Sequence, residues 1–271
     1  MKELSLKEIQ NMQLQLAKIV DKVCRKHKIK YYLISGSCLG MARHGGFIPW
    51  DDDIDLAMMR SDYNKFIEVF DVEFDTDKYK LVNEDIEKEF TGSLSRIIFR
   101  GTELSHPTLQ HINVDHGMFM DIFPLDNVPD EPMERRDQKN KLERVNRILF
   151  WKIWQKSVGD KASIKNAIKR LRSIILLPLP LRYLKKVRKN IIQKYDTAQT
   201  SCVCSMASKY GYTRHIMPRE IYGEPLYLPF ENELLPFPEK YQKHLIALFG
   251  KDYMQLPSME KREKPTPVYL L

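Results

Sequence analysis

The chain is poor in cysteine: 271 residues hold four, Cys24, Cys38, Cys202 and Cys204. Their spacing matches neither a disulfide framework nor a zinc site. Cys202 and Cys204 form a close pair, and buried, reduced thiols are the expectation for all four. Such usage fits a reducing, cytoplasmic compartment. Long apolar runs are missing too. In the basic stretch 161–194 the longest uncharged segment, Ser173 to Leu181, has nine residues and two prolines, whereas a membrane-spanning helix needs about twenty. Nor is a signal peptide expected, because the N-terminus reads as an amphipathic helix. Ser5 and Glu8 make a capping box, Leu4 and Ile9 the staple, and Ile9, Met12, Leu16, Ile19 and Val23 recur at three- and four-residue steps. The last shortage is of acid. Between Lys161 and Lys194 there are eleven Lys or Arg and no Asp or Glu, so a chain of net charge +8 is net acidic elsewhere. No RNA- or DNA-binding motif accompanies that run, and nucleic acid is not an expected partner. What remains is a globular composition, 43% hydrophobic and 30% charged, long enough for one large core or two modest ones.

What is present is concentrated in Leu33 to Leu56, LISGSCLGMARHGGFIPWDDDIDL. Asp51, Asp52, Asp53 and Asp55 place four carboxylates in five positions, and their repulsion opposes folding. A divalent cation removes it, and oxygen-only ligands select a hard ion, Mg²⁺ or Mn²⁺. A strand beginning near Asp53 projects Asp53 and Asp55 to one face and Asp52 to the other. Asp51 joins the first face if the extended form reaches back to it. A Ca²⁺ loop is excluded, since Leu56 stands where such a loop needs Gly and Asp62 where it needs Glu. A solvated acidic turn is the remaining alternative. Upstream, Tyr31-Tyr32-Leu33-Ile34 reads as a buried strand and Cys38 to Arg43 as a short helix. The Gly36-Ser37 turn between them offers backbone N–H groups, and the Ser37 hydroxyl, to an anion.

A Gly-Ser turn followed by an Asp-x-Asp strand resembles the nucleotidyltransferase superfamily. More narrowly, GSCLGMARHGGFIPWDDDID resembles the signature of the LicD family, which includes bacterial phosphocholine transferases and the animal fukutin and fukutin-related proteins. Further similarity lies in SLSRIIFRGT (93–102), GMFMDIFPLD (117–126) and FPEKYQKHLIALFGKDYMQLPSMEKR (237–262). The chain departs from the broad superfamily in its long Ser37-to-Asp53 spacing, whose excess is Gly45 to Trp50. The resemblance implies a mixed α/β (α+β) fold: a nucleotidyltransferase-like core sheet flanked by helices, with a basic helical insert and a C-terminal region packed on the core. It implies one domain over 1–271, with a catalytic core (1–130), a helical insert (131–196) and a C-terminal part (197–271). The implied reaction moves a phospho-alcohol from a CDP-alcohol, CDP-choline first, to a glycan or lipid-linked glycan hydroxyl, with CMP leaving. Asp53 and Asp55 would hold Mg²⁺ against the diphosphate. Two other readings use the same scaffold, transfer of NMP to an acceptor and noncatalytic glycan or lipid binding.

Asp121 is a lone carboxylate in the apolar run Met118 to Phe123, costly to bury alone. It is expected either as a third catalytic and metal-site carboxylate, as the superfamily supplies, or as the partner of an Arg such as Arg96. Arg43, His44 and Arg96 are candidates for phosphate contacts. Trp50, with Tyr212 and Tyr222, is a candidate box for a quaternary ammonium. The basic insert reads as a helical hairpin whose apolar tip, Ile174 to Leu181, lies on an anionic membrane surface, with 161–194 as the contact. A peripheral place on the inner face of the cytoplasmic membrane would follow. Strands are expected near 79–83, 93–99 and 118–123, and helices over about 5–27, from Ser61 to Phe70, 131–157 and Pro238 to Phe249.

Overall fold

The computed structural model describes residues 1–105, 114–154, 179–208, 211–262 and 264–271. The N-terminal part runs β1 (Lys2–Glu3), α1 (Leu6–His27), β2 (Tyr32–Leu33), α2 (Ser35–His44), β3 (Asp55–Met59) and α3 (Arg60–Glu73). The middle holds β4 (Tyr79–Val82), β5 (Ser95–Phe99), β6 (Thr102–Leu104), β7 (Phe119–Val128), α4 (Pro132–Trp154) and α5 (Leu181–Ile192). The remainder adds β8 (Cys202–Cys204), β9 (Ile216–Pro218), the hairpin β10 (Leu226–Phe230) and β11 (Glu233–Phe237), α6 (Tyr241–Phe249) and β12 (Val268–Leu270).

The fold is mixed α/β. A seven-stranded sheet runs β2-β3-β7-β5-β4, with β8 on the far half of β7 and β9 beyond it. Only β3 and β7 pair in parallel; the other pairs in this sheet are antiparallel. Both faces of the sheet are covered. Leu56, Met58, Ile97, Met120 and Ile122 pack with α1 and α3 in the main core, while Ala57, Leu125, Val203, Met217, Tyr222 and Leu248 form a second cluster. A small sheet, β1-β12-β6, ties both ends of the chain to its middle.

Local chemistry explains the leading helix. Ser5 Oγ accepts from the Glu8 amide and Glu8 Oε2 accepts from the Ser5 amide at 2.8 Å, so the capping box closes. Leu4 and Ile9 are both buried in the main core. Arg25, Lys26 and His27 in the last turn complement the negative end of the helix dipole. Strands β4, β5 and β7 lie where alternation places them, and β7 continues to Val128. The four thiols are free.

Three expectations need correction. The strand after the acidic run begins at Asp55, so Asp51, Asp52 and Asp53 belong to a loop. Gly36-Ser37 is no turn before a helix: α2 already starts at Ser35, and both residues lie in its first turn. The helix placed from Pro238 starts at Tyr241.

The basic insert is described only from residue 179 onward; its 161–178 portion and most of the apolar tip lie outside the described residues. In α5, Lys185 and Arg188 are buried against the protein and Lys189 makes an exposed ion pair with it. Arg188 donates to Glu84 Oε2 at 2.6 Å and to the Thr91 carbonyl at 2.7 Å. Lys185 donates to the Glu84 and Glu87 carbonyls, and Lys189 to Asp85. The helix is thereby clamped on the loop that leads into β5.

Candidate active site

The parallel β3/β7 pair places Asp55 opposite Asp121, and the antiparallel β5/β7 pair places Arg96 opposite the same Asp121. Directly opposed residues share a face, so Asp55, Asp121 and Arg96 form one row across three strands. This row opens into a cleft of about 620 Å³ that is also lined by Gly36, Asp51 and Asp53. Asp52 faces a different, smaller cleft. Asp51 and Asp53 line both clefts, so the acidic loop does not sort its carboxylates as a strand's alternation would.

Several local contacts build this geometry. Ser37 Oγ is buried and accepts the Asp55 amide at 2.9 Å, fixing where β3 begins. Gly36 lets the Asp51 carboxylate approach the first turn of α2: a Cβ there would lie 2.9 Å from Asp51 Oδ2 and push that carboxylate aside. Ser35 adopts a left-handed φ of 51° and donates its amide to His244 Nε2 at 3.3 Å. His244 is fully buried and its pKa is pushed down to about 3 by burial, so its neutral ring is available as that acceptor. The start of α2, whose Ser37 holds the Asp55 amide, thus rests on a histidine more than two hundred residues away in sequence.

The charges are crowded. Burial and the like charges of Asp55, Asp51, Asp52 and Asp121 push the Asp53 carboxyl well above its ordinary range. Burial also raises Asp121, against the pull of Arg96, which donates Nε to Oδ1 at 2.7 Å and Nη2 to Oδ2 at 3.2 Å. Arg96 is held flat, with its guanidinium 3.8 Å from the Phe119 ring centroid. Asp121 therefore both faces the cleft beside Asp55 and pairs with Arg96.

A hard cation fits this donor set. Asp51, Asp52 and Asp53 each offer a carboxylate oxygen within 4.8 Å of the others, and every nearby donor is oxygen. Asp53 belongs both to this trio and to the expected set of Asp53, Asp55 and Asp121, which lines the main cleft. Asp121 is drawn toward Arg96. Asp52 Oδ2 meanwhile accepts the Thr266 amide at 2.9 Å, tying the C-terminal tail to the acidic loop.

Other predicted residues divide. Arg43 lines the cleft, yet its Nε and Nη2 donate to the carbonyls of Tyr253 and Gln255 and hold the loop after α6 over the site. His44 is exposed, lies outside the cleft lining and sits edge-on to Trp50 at 6.4 Å. Ser37 points inward, away from any anion. Trp50 lines the cleft, with the Arg262 guanidinium 4.1 Å from its ring centroid. Tyr212 and Tyr222 do not join it: both are buried, the first donating to Gln138 Oε1 and the second packed on Tyr32. The aromatic box is not assembled.

The far wall of the cleft escaped the sequence. Ser205, Ser208 and His215 face the carboxylates, with Ser208 Oγ 2.7 Å from His215 Nε2. Burial, with Arg214 adding to it, pushes His215 down to about 4, so it is neutral at pH 7. Lys261 brings a cation from the tail. Only the similarity over 237–262 touched any of these, and it assigned Lys261 no role. Ser205, Ser208 and His215 fall in no motif; β8, which pairs with β7 just before Ser205, brings the chain to the site.

A family model described as LicD/FKTN/FKRP, nucleotidyltransferase domain, matches residues 28–143. Over 269 residues, 98% of this chain and 97% of the relative, the sequence is 32% identical to "Lipopolysaccharide cholinephosphotransferase LicD" of Haemophilus influenzae. Over 48 residues it is 44% identical to "Ribitol 5-phosphate transferase FKRP" of Homo sapiens, covering 18% of this chain and 10% of that protein. An uncharacterized protein of Rickettsia typhi is 42% identical over 55 residues.

Proposed function

Because this chain belongs to the LicD family and is a phosphotransferase of the LicD type, we propose that it moves phosphocholine from CDP-choline onto a hydroxyl of a cell-surface glycan, of the lipopolysaccharide kind that the Haemophilus relative's name gives, or its lipid-linked precursor. The observation that carries this reading is the row Asp55–Asp121–Arg96 opening, with Asp53, into one cleft. Asp53 and Asp55 would hold Mg²⁺, or Mn²⁺, with Asp51 within reach. Bound there, the ion would neutralise charge on the diphosphate and on the leaving nucleotide.

The chain's own residues supply the rest. Asp121, raised by burial and oriented by two Arg96 hydrogen bonds, accepts the proton of the attacking hydroxyl. The hydroxyl oxygen bonds to the phosphorus of the phosphocholine half. The bond from that phosphorus to the bridging oxygen breaks, and CMP leaves with that oxygen. Lys261 and Arg96 supply fixed positive charge to the cleft where phosphate charge builds.

The test is CMP release from CDP-choline, with and without Mg²⁺, in the presence of a lipid-linked glycan extract, followed by mass spectrometry of the glycan. Phosphocholine on the product is the expected result. Cytidylyl on the product would establish NMP transfer instead. CDP-ribitol belongs in the same screen, because the human relative's name specifies ribitol 5-phosphate and both donors share the diphosphate. Failure to bind any CDP-alcohol with Mg²⁺ by calorimetry would leave the noncatalytic reading.

A further inference from the structure

The acidic loop has two sides. Behind the main cleft lies a second one of about 350 Å³, sharing Trp50, Asp51, Asp53 and Arg96 with the first but otherwise built from different parts of the chain. Its own walls come from α1, from the start of β7 and from the tail: Gln13, Asp52, Phe119, Lys264 and Thr266. Its volume is within the range of about 300–1,000 Å³ usual for small-molecule sites. The described tail residues touch both spaces: Lys261 lines the main cleft, Arg262 lies against Trp50, and Lys264 and Thr266 line the second.

Gln13 identifies what this space would take. The residue is 1% exposed. Its Nε2 donates to the Phe119 carbonyl at 2.8 Å, which fixes the amide's orientation. Oε1 is left buried with no hydrogen-bond partner among the described residues, a state native proteins rarely tolerate without a ligand or water to relieve it. An amide oxygen only accepts. Asp51 and Asp52 on the same walls also accept when ionised. A phosphate would be repelled by these carboxylates and would bring Oε1 no donor. A neutral polyol offers hydroxyl donors to all three, can accept from Lys264, and can lay its C–H surface against Leu104, Met118 and Phe119.

We propose that this second cleft is the acceptor subsite, taking the sugar ring whose hydroxyl is to be modified. Gln13 Oε1 and Asp52 accept from its hydroxyls, and the hydroxyl to be modified passes the walls that both clefts share, Asp53 and Arg96, to reach Asp121 and the donor phosphate in the main cleft. The proposal rests on the transferase reading above, because it assigns the main cleft to the donor.

Tryptophan fluorescence of the full chain, titrated with methyl glycosides of glucose, galactose and N-acetylglucosamine without donor or metal, tests it directly. A saturable change that Trp50→Phe abolishes is expected for at least one glycoside. Gln13→Leu and Gln13→Met should weaken that response by about tenfold, as for one lost hydrogen bond in a dry site. Lys264→Ala, on an exposed position that cannot threaten the fold, should weaken it about threefold. CDP-choline titrated calorimetrically with Mg²⁺ should give the same heat in Gln13→Met as in the parent. Absence of a response to all three sugars, or an unchanged response in Gln13→Met and Lys264→Ala, overturns the subsite. Sugar binding that survives while no CDP-alcohol binds would overturn the transferase reading and leave a glycan-binding cleft.

Discussion

Asp53 sits where burial and four neighbouring carboxylates all oppose its charge. A carboxyl whose folded pKa is raised holds its proton more tightly folded than unfolded. Its contribution is therefore favourable below the ordinary carboxyl range and is lost as pH rises through the raised folded value. Asp53→Asn removes that liability. Without metal, the melting temperature of the variant relative to the parent should climb by a few degrees between pH 5 and pH 8, read by calorimetry at both pH values. Comparing variant with parent cancels the opposing titration of buried His215 and His244, whose lowered pKa values destabilise the fold as pH falls below their ordinary range. Mg²⁺ should raise the parent's melting temperature more than the variant's. Turnover should drop by several orders of magnitude in Asp53→Asn and Asp55→Asn, and far less in Asp52→Asn, because Asp52 faces the second cleft. Equal losses at Asp52 and Asp53 would contradict that placement.

Asp121 makes a second residue-scale case. Its pairing with Arg96 is partly buried, with side chains 13% and 27% exposed, so removing its charge leaves a cation less well compensated. Destabilisation should stay below the roughly 3–5 kcal/mol of a fully buried pair, because Arg96 keeps its Phe119 face and some water. Asp121→Asn should therefore lose activity out of proportion to its change in melting temperature. A large thermal loss with proportionate activity would assign Asp121 a structural role alone.

Among elements, α5 is the one whose reading changed most. A run of eleven cations without acid suits a membrane surface, yet the clamp on the 84–91 loop engages Lys185, Arg188 and Lys189. Arg182 and Lys186 stay exposed on the same helix. The two groups should separate experimentally. Arg188→Met breaks a pair only 4% and 12% exposed and should lower stability by about 3–5 kcal/mol, measured by urea unfolding. Replacing Arg182 and Lys186 by Gln should leave stability nearly unchanged and weaken low-salt sedimentation with anionic liposomes, each charge being worth at most about 1 kcal/mol. No helix among the described residues is long and apolar enough to cross a membrane.

For the whole molecule, the tail is the feature that joins fold to site. β12 bridges β1 and β6, Val268 is 1% exposed, and the Thr266 amide reaches Asp52. Deleting residues 264–271 removes a strand shared by two partners and one wall of the second cleft together. The truncated protein should melt lower by about 2–4 °C for each kcal/mol lost. It should also lose the glycoside response while calorimetry still detects CDP-choline with Mg²⁺. A truncation that melts like the parent would show that the small sheet contributes nothing to stability.

By itself the sequence determined what neighbours in the chain decide among themselves. The capping box of α1 needs only Ser5 and Glu8 one turn apart, and the apolar alternation of β5 and β7 needs only a period of two. The crowding of Asp51 to Asp55, and with it the expectation of a hard cation, followed from like charge at short spacing. Tertiary structure decided the rest, because it depends on pairings between segments far apart in sequence. Asp121 meets Asp55 and Arg96 only through the register of β7 with β3 and β5. Ser37 is buried and its hydroxyl accepts a backbone amide eighteen residues on, that of Asp55, a contact no local pattern announces. Strands of two or three residues, such as β1, β6 and β12, are too short to leave a periodic signal, yet they fold the tail over the acidic loop. The second cleft exists only once α1, β7 and that tail have come together around it.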